Sequence, residues 1–174
     1  MLTLTMLRHA KSSWGDPLIR DKDRPLNARG KSQTQLMGEY LSQQGFDPDL
    51  IICSSAKRAR QTLKQVSKNW QTDAKSVYED RLYLASTSTI LSLLQEYGSN
   101  ANHIMIIGHN PGFHMLASSL ADTGDAQDLA TLSQRYPTGT LCVIKSNAVH
   151  WQNLDNGTAE LTTFTTPKSL KLNS

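Results

Sequence analysis

The chain has 174 residues, 38% of them apolar and 19% charged, with 18 Lys and Arg against 15 Asp and Glu for a formal net charge of +3. At roughly 100 to 200 residues per domain, this predicts one domain over 1-174, with a core large enough to fold without metal or disulfide staples. The composition excludes disordered-acidic, collagen-like and membrane-spanning classes and predicts a soluble globular protein.

Leu2-Thr3-Leu4-Thr5-Met6-Leu7 alternates apolar residues with threonine over a strand's length and then breaks into a polar segment, Arg8 to Lys22, without periodicity. A strand followed by a long loop is expected. From Ala28 to Gln44, Leu36, Met37, Tyr40 and Leu41 keep helical spacing, and Gly45 stands where a helix would end. Leu50-Ile51-Ile52-Cys53 reads as a buried parallel strand, after which Ser54-Ser55 can cap a helix from Ala56 to about Trp70. Ile90, Leu91, Leu93 and Leu94 mark another short helix. His103-Ile104-Met105-Ile106-Ile107-Gly108 predicts a third strand, followed by a helix-like stretch to about Leu120 with Pro111 in its first turn. Asp122 to Gln134 fits helix or loop. Thr140 to Ile144 and Ala159 to Phe164 resemble strands, the second alternating as a one-sided or edge strand does. Strands separated by helices predict an α/β fold, a three-layer α/β/α sandwich with a mainly parallel central sheet.

The sequence pI near 8.9 rests on a small excess of charge, and the one dense basic cluster, Lys57-Arg58-Ala59-Arg60, falls far short of a nucleic-acid-binding stripe. Neither nucleic acid nor membrane is expected as a partner. Cys53 and Cys142 sit in apolar runs as small hydrophobes and offer no disulfide framework, which suggests a reducing, cytoplasmic setting. The run Met1 to Leu7 is too short for a signal-peptide core.

Ligands of open parallel sheets bind at the carboxyl ends of the strands. The first predicted strand ends at Arg8-His9, the second leads through Ser54-Ser55 to Arg58, and the third ends at His109-Asn110. Paired histidines and arginines suit a phosphoryl group, because guanidinium forks match phosphate oxygens and a neutral imidazole can attack phosphorus. Singly, each such residue is as readily a surface or capping group. Two signals for other chemistry fail: Gly30-Lys31-Ser32 lacks the glycine and preceding strand of a P-loop, and His109 and His114 are five apart with no cluster to complete a metal site. No metal and no cofactor is expected. Trp14, in the loop after the first strand, either walls the site or packs, while Trp70, Trp151, His103, His114 and His150 read as structural.

Leu7-Arg8-His9-Ala10, Ser54 through Thr62, and Gly108-His109-Asn110-Pro111, in that order, resemble the three motifs of the histidine phosphatase superfamily, whose fold is phosphoglycerate mutase-like. Arg24-Pro25-Leu26-Asn27-Ala28-Arg29-Gly30 is similar to the "R-x-L-T-x-x-G" segment of that superfamily and of its SixA-type phosphohistidine phosphatase branch. Ala10 stands where glycine is usual, and Ser54-Ser55 where Ser-Pro is. The resemblance implies that His9 is the nucleophile, that Arg8, Arg58 and His109 complete the phosphate pocket, and that Arg24 is a further phosphate-side arginine, with Asn110 beside it as a substrate contact. It also places a general-acid carboxylate between the second and third motifs, where Asp80 is preferred to Glu79. The implied activity is metal-independent phosphatase chemistry through a phosphohistidine intermediate, acting on a phosphorylated protein or a phosphorylated small molecule. Phosphohistidine on a protein is the leading substrate. A phosphomonoesterase for a sugar phosphate and a non-catalytic phospho-ligand binding module are the alternatives.

Overall fold

Among the described residues, 1–172 of this computed structural model, seven strands form one sheet. In chain order the elements are β1 (Leu2–Arg8), α1 (Ala28–Gln43), β2 (Leu50–Ser54), α2 (Lys57–Val66), β3 (Lys75–Glu79), α3 (Thr87–Tyr97), β4 (His103–Gly108), α4 (Gly112–Leu120), β5 (Ala121–Gly124), α5 (Ala126–Gln134), β6 (Leu141–Ser146), β7 (Ala159–Thr165) and α6 (Pro167–Leu172). The spatial order is β3-β2-β4-β1-β6-β7-β5, and every pair is parallel except β1 with β6 and β6 with β7.

β2 and β4 are apolar on both faces, as strands covered on both sides tend to be, while β1 carries Thr3 and Thr5 on one of its faces. In β1, β2 and β4 the residues Leu4, Met6, Leu50, Ile52, Ile104 and Ile106 join one cluster, under Ile90 and Leu93 of α3, Leu116 of α4 and Leu132 of α5. Their neighbours Leu7, Ile51, Cys53, Met105 and Ile107 face the other way, onto Met37 and Leu41 of α1 and Ala59, Leu63 and Val66 of α2. This period of two, read on both faces, produces the three-layer sandwich. Each fully buried side chain of this kind contributes about 1.5 to 3 kcal/mol.

Several boundaries differ from expectation for physical reasons. α2 ends at Val66, not at Trp70, although Asn69 N and Trp70 N still donate to the Val66 carbonyl at 3.1 Å in a closing turn. Trp70 is buried there, its indole N–H donating to the Phe46 carbonyl at 2.8 Å. Ala56, not Ser54 or Ser55, is the N-cap of α2 and offers no capping side chain. Asp122 to Gln134 resolves into strand and helix, with Asp125 capping α5 through the Gln127 and Asp128 amides. β7 is not an edge strand, since β5 pairs along its outer side.

Register brings the strand ends level. Arg8 pairs with Gly108 across β1 and β4, and Cys53 with Ile107 across β2 and β4, so the residues that follow these strands emerge side by side. The loop after β1 is pressed against the start of α1, where a Cβ on Gly30 would stand 2.1 Å from the Lys11 carbonyl oxygen. Only glycine permits that approach.

Candidate active site

His9 follows β1 directly and is held on both sides: its N–H donates to the Gly108 carbonyl at 3.0 Å, and its own carbonyl accepts from Gly139 N at 3.1 Å. The next amide, Ala10 N, donates to Thr62 Oγ1 at 3.0 Å, and that hydroxyl donates to the Arg58 carbonyl at 2.7 Å. The second motif is thereby tied to the first.

The His9 imidazole is 7% exposed, and Nδ1 lies 2.8 Å from the Ala10 carbonyl. A carbonyl only accepts, so Nδ1 carries the proton and Nε2 the lone pair. Arg58 Nε donates to that Nε2 at 3.2 Å. Burial, with the charges of Arg58, Arg8 and Arg24 adding, lowers the His9 pKa to about 3 against the pull of the Ala10 carbonyl. Burial also dominates at His109, where His9 and Arg58 add to it and lower the pKa to about 2. Both rings are therefore neutral near pH 7, with centroids 5.0 Å apart.

His109 Nε2 lies 2.8 Å from Ser54 Oγ, which also accepts from Ala56 N at 3.3 Å. Its Nδ1 is buried without a hydrogen-bond partner among the described residues, as are Arg8 Nε and Asn110 Oδ1. Arg8 Nη1 and Asn110 Nδ2 both donate to the Tyr136 carbonyl, at 2.5 and 3.1 Å, while Tyr136 is itself anchored by its hydroxyl on the Met6 carbonyl at 2.8 Å.

Asp21, on a short 3-10 turn (Asp21–Asp23), is the residue sequence reasoning passed over. Its carboxylate accepts from Arg24 Nη1 at 2.6 Å, Arg58 Nη2 at 2.9 Å and the Tyr83 hydroxyl at 2.6 Å, and its carbonyl accepts from Arg58 Nη1 at 2.5 Å. Burial raises its pKa, but the bonds from Tyr83, Arg58 and Arg24 and the charge of Arg58 outweigh this and lower it to about 2. Asp21 pairs with Arg24 and Arg58, whereas Arg8 has no carboxylate partner among the described residues, so the pocket keeps positive charge to meet a phosphoryl anion.

Arg24 and Asp80 stand differently from the rest. Arg24 is 7% exposed and gives Nε to the Ser13 carbonyl at 2.8 Å and Nη2 to Ser12 Oγ at 2.6 Å, so it braces the loop as well as holding Asp21. Trp14 lies over its guanidinium, 3.3 Å from the ring centroid, and is 74% exposed: it stacks as a lip rather than packing in the core. Asp80 is bonded to Lys22 at 2.6 Å and to the Ser55 hydroxyl, not to the imidazoles or arginines of the pocket. Those bonds, Lys22 first, lower its pKa, which disfavours the protonated form a general acid needs. Elsewhere, His103 bonds Thr5 at 2.8 Å and His114 the Leu132 carbonyl at 2.6 Å. Trp151 is buried, and burial pushes the Cys53 thiol up to about 12, leaving it no nucleophile at neutral pH. Among the described residues no helix is long and apolar enough to cross a membrane.

The protonation state of His9 has a measurable consequence. Its ring resonances should hold their neutral positions from about pH 8 down to about pH 5, whereas an ordinary histidine titrates near about 6.5. A midpoint near that value would contradict the buried, arginine-flanked geometry. The linked stability effect has a definite sign: the unfolded state binds protons on His9 and His109 that the folded state refuses, so stability falls as pH drops from about 6.5 toward the depressed values.

Residues 4–83 match the model of the histidine phosphatase superfamily (branch 1). An uncharacterized protein of Mycobacterium tuberculosis is 35% identical over 164 residues, covering 93% of this chain and all of that one. Among solved structures, a candidate phosphohistidine phosphatase SixA from Agrobacterium tumefaciens is 29% identical with a TM-score of 0.78, covering 95% of this chain and 98% of that chain. A second SixA candidate, from Nakamurella multipartitia, is 26% identical with a TM-score of 0.79, over 95% and 96% of the two chains.

Proposed function

Since the chain belongs to the histidine phosphatase superfamily, in its SixA-type branch, and is a phosphatase, we propose that it removes phosphoryl groups from phosphohistidine on proteins, with His9 as the covalent nucleophile. The observation that carries this reading is the unprotonated Nε2 of His9 in contact with the Arg58 guanidinium. In the first step the Nε2 lone pair forms a bond to phosphorus as the substrate P–N bond breaks, and the departing imidazole takes up a proton from solvent. Water then attacks the phosphoryl group on His9, releasing inorganic phosphate and restoring neutral imidazole.

The remaining pocket groups act on charge. N–H groups of Arg58 and Arg8 stabilise the equatorial oxygens of the transferring phosphoryl group, where electron density builds up in the transition state. If Ser54 donates to Nε2 of His109, the proton of that ring sits on its free Nδ1, which can then donate to a substrate oxygen. A phosphoramidate leaves more readily than an alkoxide, so the reaction tolerates an Asp80 that is ionised and engaged elsewhere.

The elements between Arg58 and His109 favour a large substrate. β3 lies in the sheet and α3 buries Ile90, Leu93 and Leu94 in the core, so in this interval only the short turn carrying Tyr83, which meets Asp21 and the His109 ring, reaches the strand ends, and no helix covers them. Metabolite sites depend on covering elements to exclude water and encircle the ligand. We expect kcat/KM on a phosphohistidine-bearing histidine phosphotransfer domain to exceed that on sugar phosphates and on p-nitrophenyl phosphate, with vanadate inhibiting all three. A sugar phosphate hydrolysed at about 10⁵ M⁻¹s⁻¹ or faster, with the phosphoprotein untouched, would make the protein a metabolite phosphatase instead.

A further inference from the structure

A groove of about 680 Å3 runs from the strand ends along the outer face of α2, with the edge strand β3 as its other wall. It begins at Ser55 and Asp23, the immediate neighbours of Ser54 and Arg24 in the site. Lys57, Arg60 and Lys64 line it at helical spacing, all exposed, while Arg58, Ala59 and Thr62 turn inward. None of the three cations has a carboxylate partner among the described residues, and Arg60 lies over the Tyr78 ring at 5.2 Å. The carboxylate lining the groove, Asp23, is already neutralised by Arg20 at 2.8 Å. A row of unpaired cations on one wall of a groove that starts one residue along the chain from Ser54 and Arg24 is not needed to hydrolyse a phosphoryl group.

We propose that this groove docks an acidic segment of the phosphoprotein substrate, in extended form, beside the phosphorylated side chain. The proposal rests on the protein-phosphatase reading above and adds its recognition element. From Lys57 to Lys64 the helix rises about 10 Å, the span of roughly three extended residues, so the acidic residues belong within a few positions of the phosphohistidine. Three cations do not make a nucleic-acid track, which needs many phosphate contacts to hold at physiological salt. An acidic peptide needs only a few, and complementary charge supplies orientation and encounter rate more than bulk affinity.

The test uses two synthetic phosphohistidine peptides, identical except that one has Asp and Glu and the other Asn and Gln beside the phosphorylated residue. The wild-type protein should favour the acidic peptide by roughly tenfold in kcat/KM, mainly through KM, and lose the preference as salt rises. The double variant Arg60→Glu, Lys64→Glu should abolish or invert the preference with p-nitrophenyl phosphate turnover unchanged, and the milder Arg60→Gln, Lys64→Gln should reduce it. No preference in the wild type, or an equal one in the variants, overturns the proposal. Should neither phosphopeptide be cleaved while p-nitrophenyl phosphate is, the phosphohistidine reading fails by itself. Direct binding of the unphosphorylated acidic peptide then decides the groove: salt-sensitive binding lost in the charge-reversed variant supports it, and no binding, or tighter binding of a single-stranded oligonucleotide, overturns it.

Discussion

Replacing His9 with alanine should lower turnover by roughly 10⁵-fold or more, the scale on which a covalent nucleophile acts with its pocket. The neighbouring groups are committed elsewhere: the Arg8 guanidinium stays protonated, Ser54 Oγ is engaged with His109, Thr62 Oγ1 with the Arg58 carbonyl and Ser12 Oγ with Arg24. The pocket should survive the change, because His9 is held by its backbone to Gly108 and Gly139 rather than by its ring alone. The variant should therefore keep its melting temperature and still bind vanadate weakly. Brief reaction of the wild type with labelled substrate should trap a phosphoenzyme stable to base and labile to acid. An acid-stable adduct, or one that persists in the alanine variant, would move the nucleophile to a hydroxyl and undo the assignment.

The fold was legible because β2 and β4 are apolar on both faces and β1 on one. Met105 and Ile107 face α1 and α2 while Ile104 and Ile106 face α3 and α4, and no polar residue interrupts the run. The outer strands were not legible in this way. β3 is mostly exposed, with Lys75, Ser76 and Tyr78 facing solvent, and β5 is four residues with little burial. Each is a strand because a neighbour offers it a ladder, and that information sits in β2 and β7. The overlong reading of α2 has a similar source, since Val66 and Trp70 are four apart, as on a helix, while the chain between them turns.

The site was legible where it sits at strand ends and obscure where loops close over it. His9, Arg58 and His109 follow apolar runs, so their convergence could be argued from sheet geometry. Asp21 and Tyr83 lie 62 residues apart and meet through a single 2.6 Å bond that no periodicity announces. Asp21 did carry a weak signal: it stands three residues before Arg24, the spacing at which two side chains on a helical turn meet. Tyr136 could not have been found, because its contribution is a backbone carbonyl that aims Arg8 and Asn110.

The change from Arg58 to lysine keeps the charge and should still cost about 2 to 4 kcal/mol of transition-state stabilisation, a fall in kcat/KM of roughly 30- to 1,000-fold. Arg58 uses all three nitrogens at once: Nε reaches His9 Nε2, Nη1 the Asp21 carbonyl and Nη2 the Asp21 carboxylate. The plane of the fork sets where each N–H points, and at 3% exposure no water stands ready to replace a lost donor. An ammonium offers donors from one point, so it can satisfy Asp21 or approach the phosphoryl oxygens but cannot span both. Most of the loss should appear in kcat, because the equatorial oxygens gain charge in the transition state and not on binding. Vanadate, which adopts the five-coordinate geometry, should bind more weakly by a similar factor, while inorganic phosphate should lose far less. If Arg58→Lys retained activity within about threefold of wild type, the guanidinium would be a simple counter-charge, and the contact between Arg58 and His9 would have no part in the chemistry.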